Sequence, residues 1–305
     1  MLGLAIVILA AGCLFAQIRP GSECGAAVAQ SAREALGKRQ FDTAIQRFEQ
    51  AHSACPADQA LLLELGNAYF MAQHFARARE VAIEVLRSDP ASATALEIKA
   101  NSEYLEGDSA AAIATFIDLL ERHPERADAA YMLGRIYYQE GRVDQAIGLF
   151  ERVLRLNPDS YKAYDNLGLC YEVKGDNQKA TQYFLTAIKL VQKDHPEYDT
   201  AYADLAELLL KTGDNRKAFD AASMAANRNP ASARNFYLGG KALEQLGKTD
   251  LSLNWLQRSA ALDPNYPQPL YALALIYHKL GEEQKSAEAR KKFLEAQAKA
   301  PGKPR

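Results

Sequence analysis

The sequence has few of the residues from which catalytic and metal-binding sites are usually built. Among its 305 residues there are five histidines, four cysteines and one tryptophan. The histidines are widely separated, and the motifs H-E-x-x-H, C-x-x-C and G-x-S-x-G do not occur. We therefore predict that the chain has no catalytic residue, binds no metal, needs no cofactor and is not an enzyme.

The sequence also lacks an excess of charge of one sign. Lysine and arginine together number 36, and aspartate and glutamate number 38. A nucleic-acid-binding domain usually carries a clear basic excess, so we predict no nucleic-acid partner. The hydrophobic share of 48% and the charged share of 24% are typical of a soluble folded protein.

Long apolar runs are absent except at the N-terminus, where residues 2–16 read LGLAIVILAAGCLFA. As a helix this run would cover about 22 Å, short of the roughly 30 Å hydrocarbon core of a bilayer. Its length suits a secretory signal peptide over residues 1–16, with cleavage before Gln17 and a short linker over residues 17–24. We therefore predict a periplasmic or secreted protein.

Two alternatives for this leader remain open, because no lysine or arginine precedes the apolar run. Cys13 follows Ala-Ala-Gly, which weakly resembles a bacterial lipoprotein site, so the protein could be lipid-anchored. The leader could also stay in place as a membrane anchor. In either case we expect membrane contact only through the leader or a lipid on Cys13.

The prolines and glycines of the rest of the chain recur at a fixed period. The prolines fall in two series with steps of 34 residues, separated by one step of 38: Pro56, Pro90, Pro124, Pro158, then Pro196, Pro230 and Pro264. The glycines follow the same steps: Gly107, Gly141, Gly175, Gly213, Gly247 and Gly281. A period of this size is typical of a repeat array.

The residues between these positions predict pairs of helices. From Tyr164 the apolar and small residues recur at spacings of three and four, stop at Gly175, and recur again through Phe184. This pattern predicts two antiparallel amphipathic helices in each repeat. A glycine at this position suits the left-handed turn that ends the first helix, and proline marks the end of the second.

The combination Leu-Gly-x-x-Tyr, Gly, Ala-x-x-x-Phe and Pro resembles the tetratricopeptide repeat family. The resemblance covers residues 25–300 and leaves a tail at 301–305. It implies an all-α, right-handed superhelical solenoid of eight units: 25–58, 59–92, 93–126, 127–160, 161–198, 199–232, 233–266 and 267–300. The fifth unit holds four extra residues, about one helical turn, and we expect a longer second helix with a protruding segment near 193–198.

Two cysteines flank the first predicted helix pair. Cys24 precedes its first helix and Cys55 follows its second, and an antiparallel pair brings these two ends together. We predict a Cys24–Cys55 disulfide that stabilises the terminal unit. If the protein were cytoplasmic, both would instead remain free thiols. Cys170, between Leu169 and Tyr171, is expected to fill the core.

In the family, the first helix of each unit lines a concave groove, and the resemblance places a set of candidate partner-binding residues there. Phe70, Tyr104 and Tyr138 share one helical phase and form a predicted row of rings. The full set is Leu63, Asn67, Phe70, Asn101, Tyr104, Tyr131, Arg135, Tyr138 and Asp165. Aromatic rings offer large contact areas, and amides can bond a peptide backbone.

These residues predict a non-enzymatic scaffold or adaptor of the cell envelope that binds an extended peptide or a partner protein. A carboxylate clamp, known in one subclass of the family, is excluded because Thr200 and Asp204 stand where it needs cations. The alternative is an accessory factor in polysaccharide or peptidoglycan assembly, because aromatic rows also stack sugars.

Overall fold

The helix-forming repeats fold as the sequence predicts. A computed structural model describes residues 25–299, apart from the side chain of residue 193, and these residues form sixteen α-helices and no strand. The prediction of an all-helical array is confirmed. No helix of this part of the chain combines the length and the apolar composition needed to cross a membrane.

The described residues form two compact units that divide between Pro124 and Glu125. The helices of the N-terminal unit are α1 (Ala26–Gly37), α2 (Phe41–Ala54), α3 (Gln59–Met71), α4 (Phe75–Ser88), α5 (Ala93–Leu105) and α6 (Ser109–Arg122). Those of the C-terminal unit are α7 (Ala127–Gln139), α8 (Val143–Leu156), α9 (Tyr161–Val173), α10 (Asn177–Asp194), α11 (Thr200–Thr212), α12 (Asn215–Arg228), α13 (Ala233–Gln245), α14 (Thr249–Leu262), α15 (Pro267–Lys279) and α16 (Glu283–Lys299).

Each odd-numbered helix, called here a first helix, packs against the even-numbered second helix that follows it. The first helices also contact one another within each unit: α3 with α5, and α7 with α9, α9 with α11, α11 with α13 and α13 with α15. The first helices of one unit therefore lie side by side. Their outward surface is called the first-helix face below.

Close approach within a pair depends on a small residue opposite a large one. A Cβ atom added to Gly168 would lie 2.5 Å from Cε1 of Phe184, and one added to Gly134 would lie 2.8 Å from Cε1 of Phe150. Both phenylalanines are fully buried. Interiors packed this closely tolerate little added volume, so the glycine determines how near the two helices can lie.

The extra residues of the fifth predicted unit lengthen its second helix. Helix α10 has 18 residues, whereas α8 and α12 have 14 each. One added turn of 3.6 residues keeps the apolar side facing the same way. The predicted protrusion near residues 193–198 is wrong at Tyr198, whose hydroxyl folds back to contact α9.

The ends of the array fall outside the described residues. This applies to the predicted leader at 1–16, the linker at 17–24 and the tail at 301–305. The count of eight repeats and the predicted unit boundaries stay predictions.

The turns after the first helices show one irregularity that the glycine pattern conceals. Six of these turns have glycine with a positive φ, as in Gly107 at 88°. Thirty-four residues earlier, the same turn contains the exposed Gln73 at φ 64°, and Arg39 at 57° ends α1 in the same way. A non-glycine residue in this conformation costs about 1–2 kcal/mol.

Replacing Gln73 by glycine is therefore expected to stabilise the protein. Glycine removes the steric cost but gains entropy in the unfolded chain, so Gln73→Gly should raise the free energy of unfolding by about 0.5–1 kcal/mol. Urea unfolding followed by circular dichroism measures this change. Gln73→Ala is the control, because alanine keeps the Cβ atom and gives no gain; equal stabilisation by both variants would contradict the explanation.

Candidate functional site

The N-terminal unit presents the predicted residues of α3 in three different environments. Leu63 and Phe70 are half-buried against the core, and the Phe70 ring lies 5.6 Å from the Phe75 ring of α4. Asn67 is exposed, and its Nδ2 lies 3.9 Å from Sδ of Met71. Asn67 and Met71 are therefore the side chains of α3 that a partner can reach most easily.

The same face continues on α5. Nδ2 of Asn101 donates a hydrogen bond to the Glu97 carbonyl of its own helix at 2.9 Å. Tyr104 is half-buried, and Leu105 beside it is 49% exposed. The predicted pair of amides is therefore unequal, because one donor of Asn101 is already bonded within its helix.

In the C-terminal unit, α7 carries three of the predicted residues. Tyr131 lies 5.9 Å from the Phe150 ring and accepts a hydrogen bond from Asn166 Nδ2 at 3.2 Å. The Arg135 guanidinium lies 5.9 Å from the centre of the Tyr131 ring. Burial raises the pKa of Tyr131 and of the half-buried Tyr138, so both hydroxyls stay neutral and can donate or accept.

Asp165 was placed on the partner-binding surface by its helical phase, but the structure buries it. Its side chain is 1% exposed, and Oδ2 accepts a hydrogen bond from the Tyr198 hydroxyl at 2.6 Å. Burial, helped by the charge of Asp204, raises the pKa of Asp165 to about 8. The residue lies beneath the first-helix face and supports it from below.

Asp204 of α11 forms a second buried acidic position. It is 4% exposed, and Oδ1 accepts a hydrogen bond from Arg234 Nη2 at 2.6 Å; the same nitrogen lies 2.6 Å from Oε2 of Glu207. Burial raises the pKa of Asp204. Burial also acts to raise the pKa of Glu207, but Arg234 and Lys211 outweigh it and hold that pKa below its usual value.

A pocket of about 500 Å³ opens on the first-helix face of the C-terminal unit. Tyr138 of α7, Glu172 of α9, and Asp204 and Glu207 of α11 supply its polar lining. Leu169 and Leu208 form apolar wall beside them. Of the predicted site residues in this unit, the structure brings only Tyr138 to this pocket.

The acidic residues of this pocket were missed at the sequence stage of reasoning, although a signal for one of them is present. Glu172 follows Tyr138 by 34 residues and so occupies the phase of the predicted row of rings. A carboxylate at this phase on a packed helix indicates a polar position on the same face. Tyr198 carries no such signal, because its contact with Asp165 depends on the lengthened α10.

The cysteines and the metal question can be addressed in the described part of the chain. Cys170 is a buried free thiol, and burial raises its pKa to about 12, so it stays protonated. Cys55 is disulfide-bonded. Cys24 lies outside the described residues, and its pairing with Cys55 stays a prediction. No group of three histidine, cysteine or acidic side chains among the described residues is arranged to hold a metal ion.

The raised pKa of Asp165 predicts how stability depends on pH. The ordinary pKa is 3.8 and the folded value about 8, so between these values the folded state binds more protons than the unfolded state. The free energy of unfolding therefore falls as the pH rises from about 4 to about 8. Asp165→Asn should lose much of this slope and be more stable than the natural protein at pH 8 by at least about 1 kcal/mol.

Urea unfolding at pH 5 and pH 8, followed by the fluorescence of the single tryptophan in the C-terminal unit, tests this expectation. Asp220→Asn is a suitable control, because Asp220 lies on the exposed surface of α12. The same pH slope in Asp165→Asn and in the natural protein would show that Asp165 titrates normally.

Solved structures provide relatives of the same fold. A tetratricopeptide repeat protein from Parabacteroides merdae has a TM-score of 0.64 and 19% identity, with 79% of this chain and 93% of that one covered. MamA has a TM-score of 0.50 and 30% identity, with 53% and 95% covered. A chain of the APC/C hetero-tetramer Cut9–Hcn1 has a TM-score of 0.61 and 20% identity, with 72% and 42% covered. No curated protein sequence matches significantly.

Family models give the assignment. Models described as tetratricopeptide repeat match residues 99–160, 131–195 and 35–101, and one described as TPR repeat matches residues 240–281. Together they cover residues 35–195 and 240–281, which is more than half of the chain. They agree with the paired helices, the positive-φ glycines and the small-against-large packing seen in the fold. The chain therefore belongs to the tetratricopeptide repeat family.

Proposed function

We propose that this chain is a non-enzymatic scaffold of the cell envelope that binds an extended segment of a partner protein along its first-helix face. Tetratricopeptide repeat proteins act as protein-interaction scaffolds, and the similar chain of the Cut9–Hcn1 hetero-tetramer belongs to a protein assembly. The groove, the extended segment and the envelope location are the finer parts of the proposal.

One observation carries the proposal: the first-helix face of the C-terminal unit combines a recess with accessible rings. The pocket beside Tyr138 can admit a side chain, whereas Tyr271, 52% exposed, and Leu275, 38% exposed, offer apolar contact on α15. Binding sites for peptides commonly combine aromatic anchors with a few placed polar groups. A single face that carries both is suited to hold a segment of another chain.

The N-terminal unit supports the same use by itself. Met71 and Leu105 end α3 and α5, 34 residues apart in the sequence, and are 42% and 49% exposed. With the exposed Asn67 they make an apolar surface that includes an amide, which can bond a peptide backbone.

Cross-linking tests the proposed surface directly. The photoreactive residue p-benzoylphenylalanine at position 67 or 138 should form a covalent adduct with a protein from envelope extracts, because both positions lie on first-helix faces. The same residue at Leu185 or Met224, which are equally accessible on second helices, provides the control and should give little adduct. Adducts only from the control positions, or retention on a glycan resin without any protein adduct, would overturn the proposal.

N-terminal sequencing of the mature protein tests the envelope location. We expect the mature chain to begin at Gln17, because the apolar leader has the length of a signal peptide. A lipid-modified Cys13 at the N-terminus would instead indicate an anchored protein that is still exported. An intact Met1 on a protein recovered from the cytoplasm would contradict export.

A further inference from the structure

The pocket of the C-terminal unit has a charge pattern that its structural role does not require. Three carboxylates line it, from Glu172, Asp204 and Glu207, and one ammonium group, from Lys211. Arg234 adds a second cation, bonded to Asp204 and Glu207. Three negative groups thus face two positive ones, and the pocket keeps a surplus of negative charge.

Asp204 provides the specific feature within this pocket. Its side chain is 5% exposed, and Oδ1 is bonded to Arg234. Among the described residues, none donates a hydrogen bond to Oδ2. A buried carboxylate oxygen without a donor is costly, so a donor from a bound molecule would stabilise it.

Lys211 shows what kind of group the other two carboxylates hold. Its Nζ lies 2.6 Å from Oε1 of Glu172 and 3.2 Å from Oε1 of Glu207. The lysine side chain is 57% exposed, whereas that of Glu172 is only 15% exposed. A mobile cation of the chain itself therefore occupies a site whose carboxylates are held in place.

The walls of the pocket suit the remainder of a long basic side chain. Leu169 and Leu208 line it, and Val173 at its edge is 60% exposed. The methylene stem of a basic side chain packs on apolar surface while its charged head reaches polar groups. The half-buried Tyr138 ring is available for a cation–π contact with that head.

We propose that this pocket binds an arginine side chain of the partner segment, with the guanidinium reaching Oδ2 of Asp204 and displacing Lys211 from Glu172. Arginine is favoured over lysine because its planar head presents several donors to more than one carboxylate at once. This inference rests on the proposed function, since it names the side chain that the first-helix face selects.

The pocket can be tested without knowing the partner. Full-length protein is titrated with the peptide acetyl-Gly-Ser-Arg-Ser-Gly-amide, and methyl NMR signals of Leu169, Val173 and Leu208 report binding. The matched control peptide has citrulline in place of arginine, which keeps the shape and removes the charge. We expect at least tenfold weaker binding of the citrulline peptide, and equal binding of both would overturn the inference.

Two variants make the test sharper. Glu172→Gln should weaken binding of the arginine peptide several-fold, whereas Lys211→Met should strengthen it, because the competing internal cation is gone. Asp220→Asn, on the exposed surface of α12, should leave the affinity unchanged. If Lys211→Met instead weakens binding, or if a glutamate peptide binds better than the arginine peptide, the pocket selects anions and the inference fails. Should Glu172→Gln fold poorly, the peptide pair and Lys211→Met still decide the matter.

The two proposals can fail separately. Loss of arginine selectivity together with cross-links at positions 67 and 138 would remove this inference and leave the scaffold function standing. Arginine-selective binding without any cross-linked protein would support the pocket and contradict the scaffold function.

Discussion

The structure depends on the close approach of two helices across a residue with almost no side chain. Gly134 against Phe150 and Gly168 against Phe184 leave no room for even one added methyl group. Because each pair is held this tightly, the next first helix can lie beside the previous one and share its core. The first-helix face, with its pocket and its rings, exists only because this contact recurs within each pair.

Much of the fold could be predicted from the sequence, because the residues that define it act locally. A glycine with a positive φ ends a first helix wherever it occurs, and proline ends a second helix, so their period alone predicts paired helices. The same reasoning overlooked Gln73 and Arg39, which adopt the left-handed conformation without being glycine. Neighbouring packing imposes that conformation there, and a composition pattern does not reveal it.

The candidate site was less predictable, because it depends on contacts between residues far apart in the sequence. Helical phase correctly brought Tyr138 to the first-helix face, but it also assigned Asp165 to the accessible surface. The hydroxyl of Tyr198, 33 residues away, covers Asp165 through a contact made possible by the longer α10. The buried position of Asp204 likewise follows from Arg234 in the next first helix, a partner that no local pattern identifies. Phase therefore predicts which side of a helix a residue occupies, and only the packed neighbours decide its exposure.

The lengthened α10 has a consequence for how such arrays acquire new surface features. An insertion of one full turn leaves the apolar stripe in register, so the neighbouring pairs can stack as before while the loop after the helix gains reach. In this chain the extra reach delivers a tyrosine to a buried carboxylate of another helix. Insertions in multiples of one turn in other second helices would give protein engineers a way to add side chains under the binding face without redesigning the core.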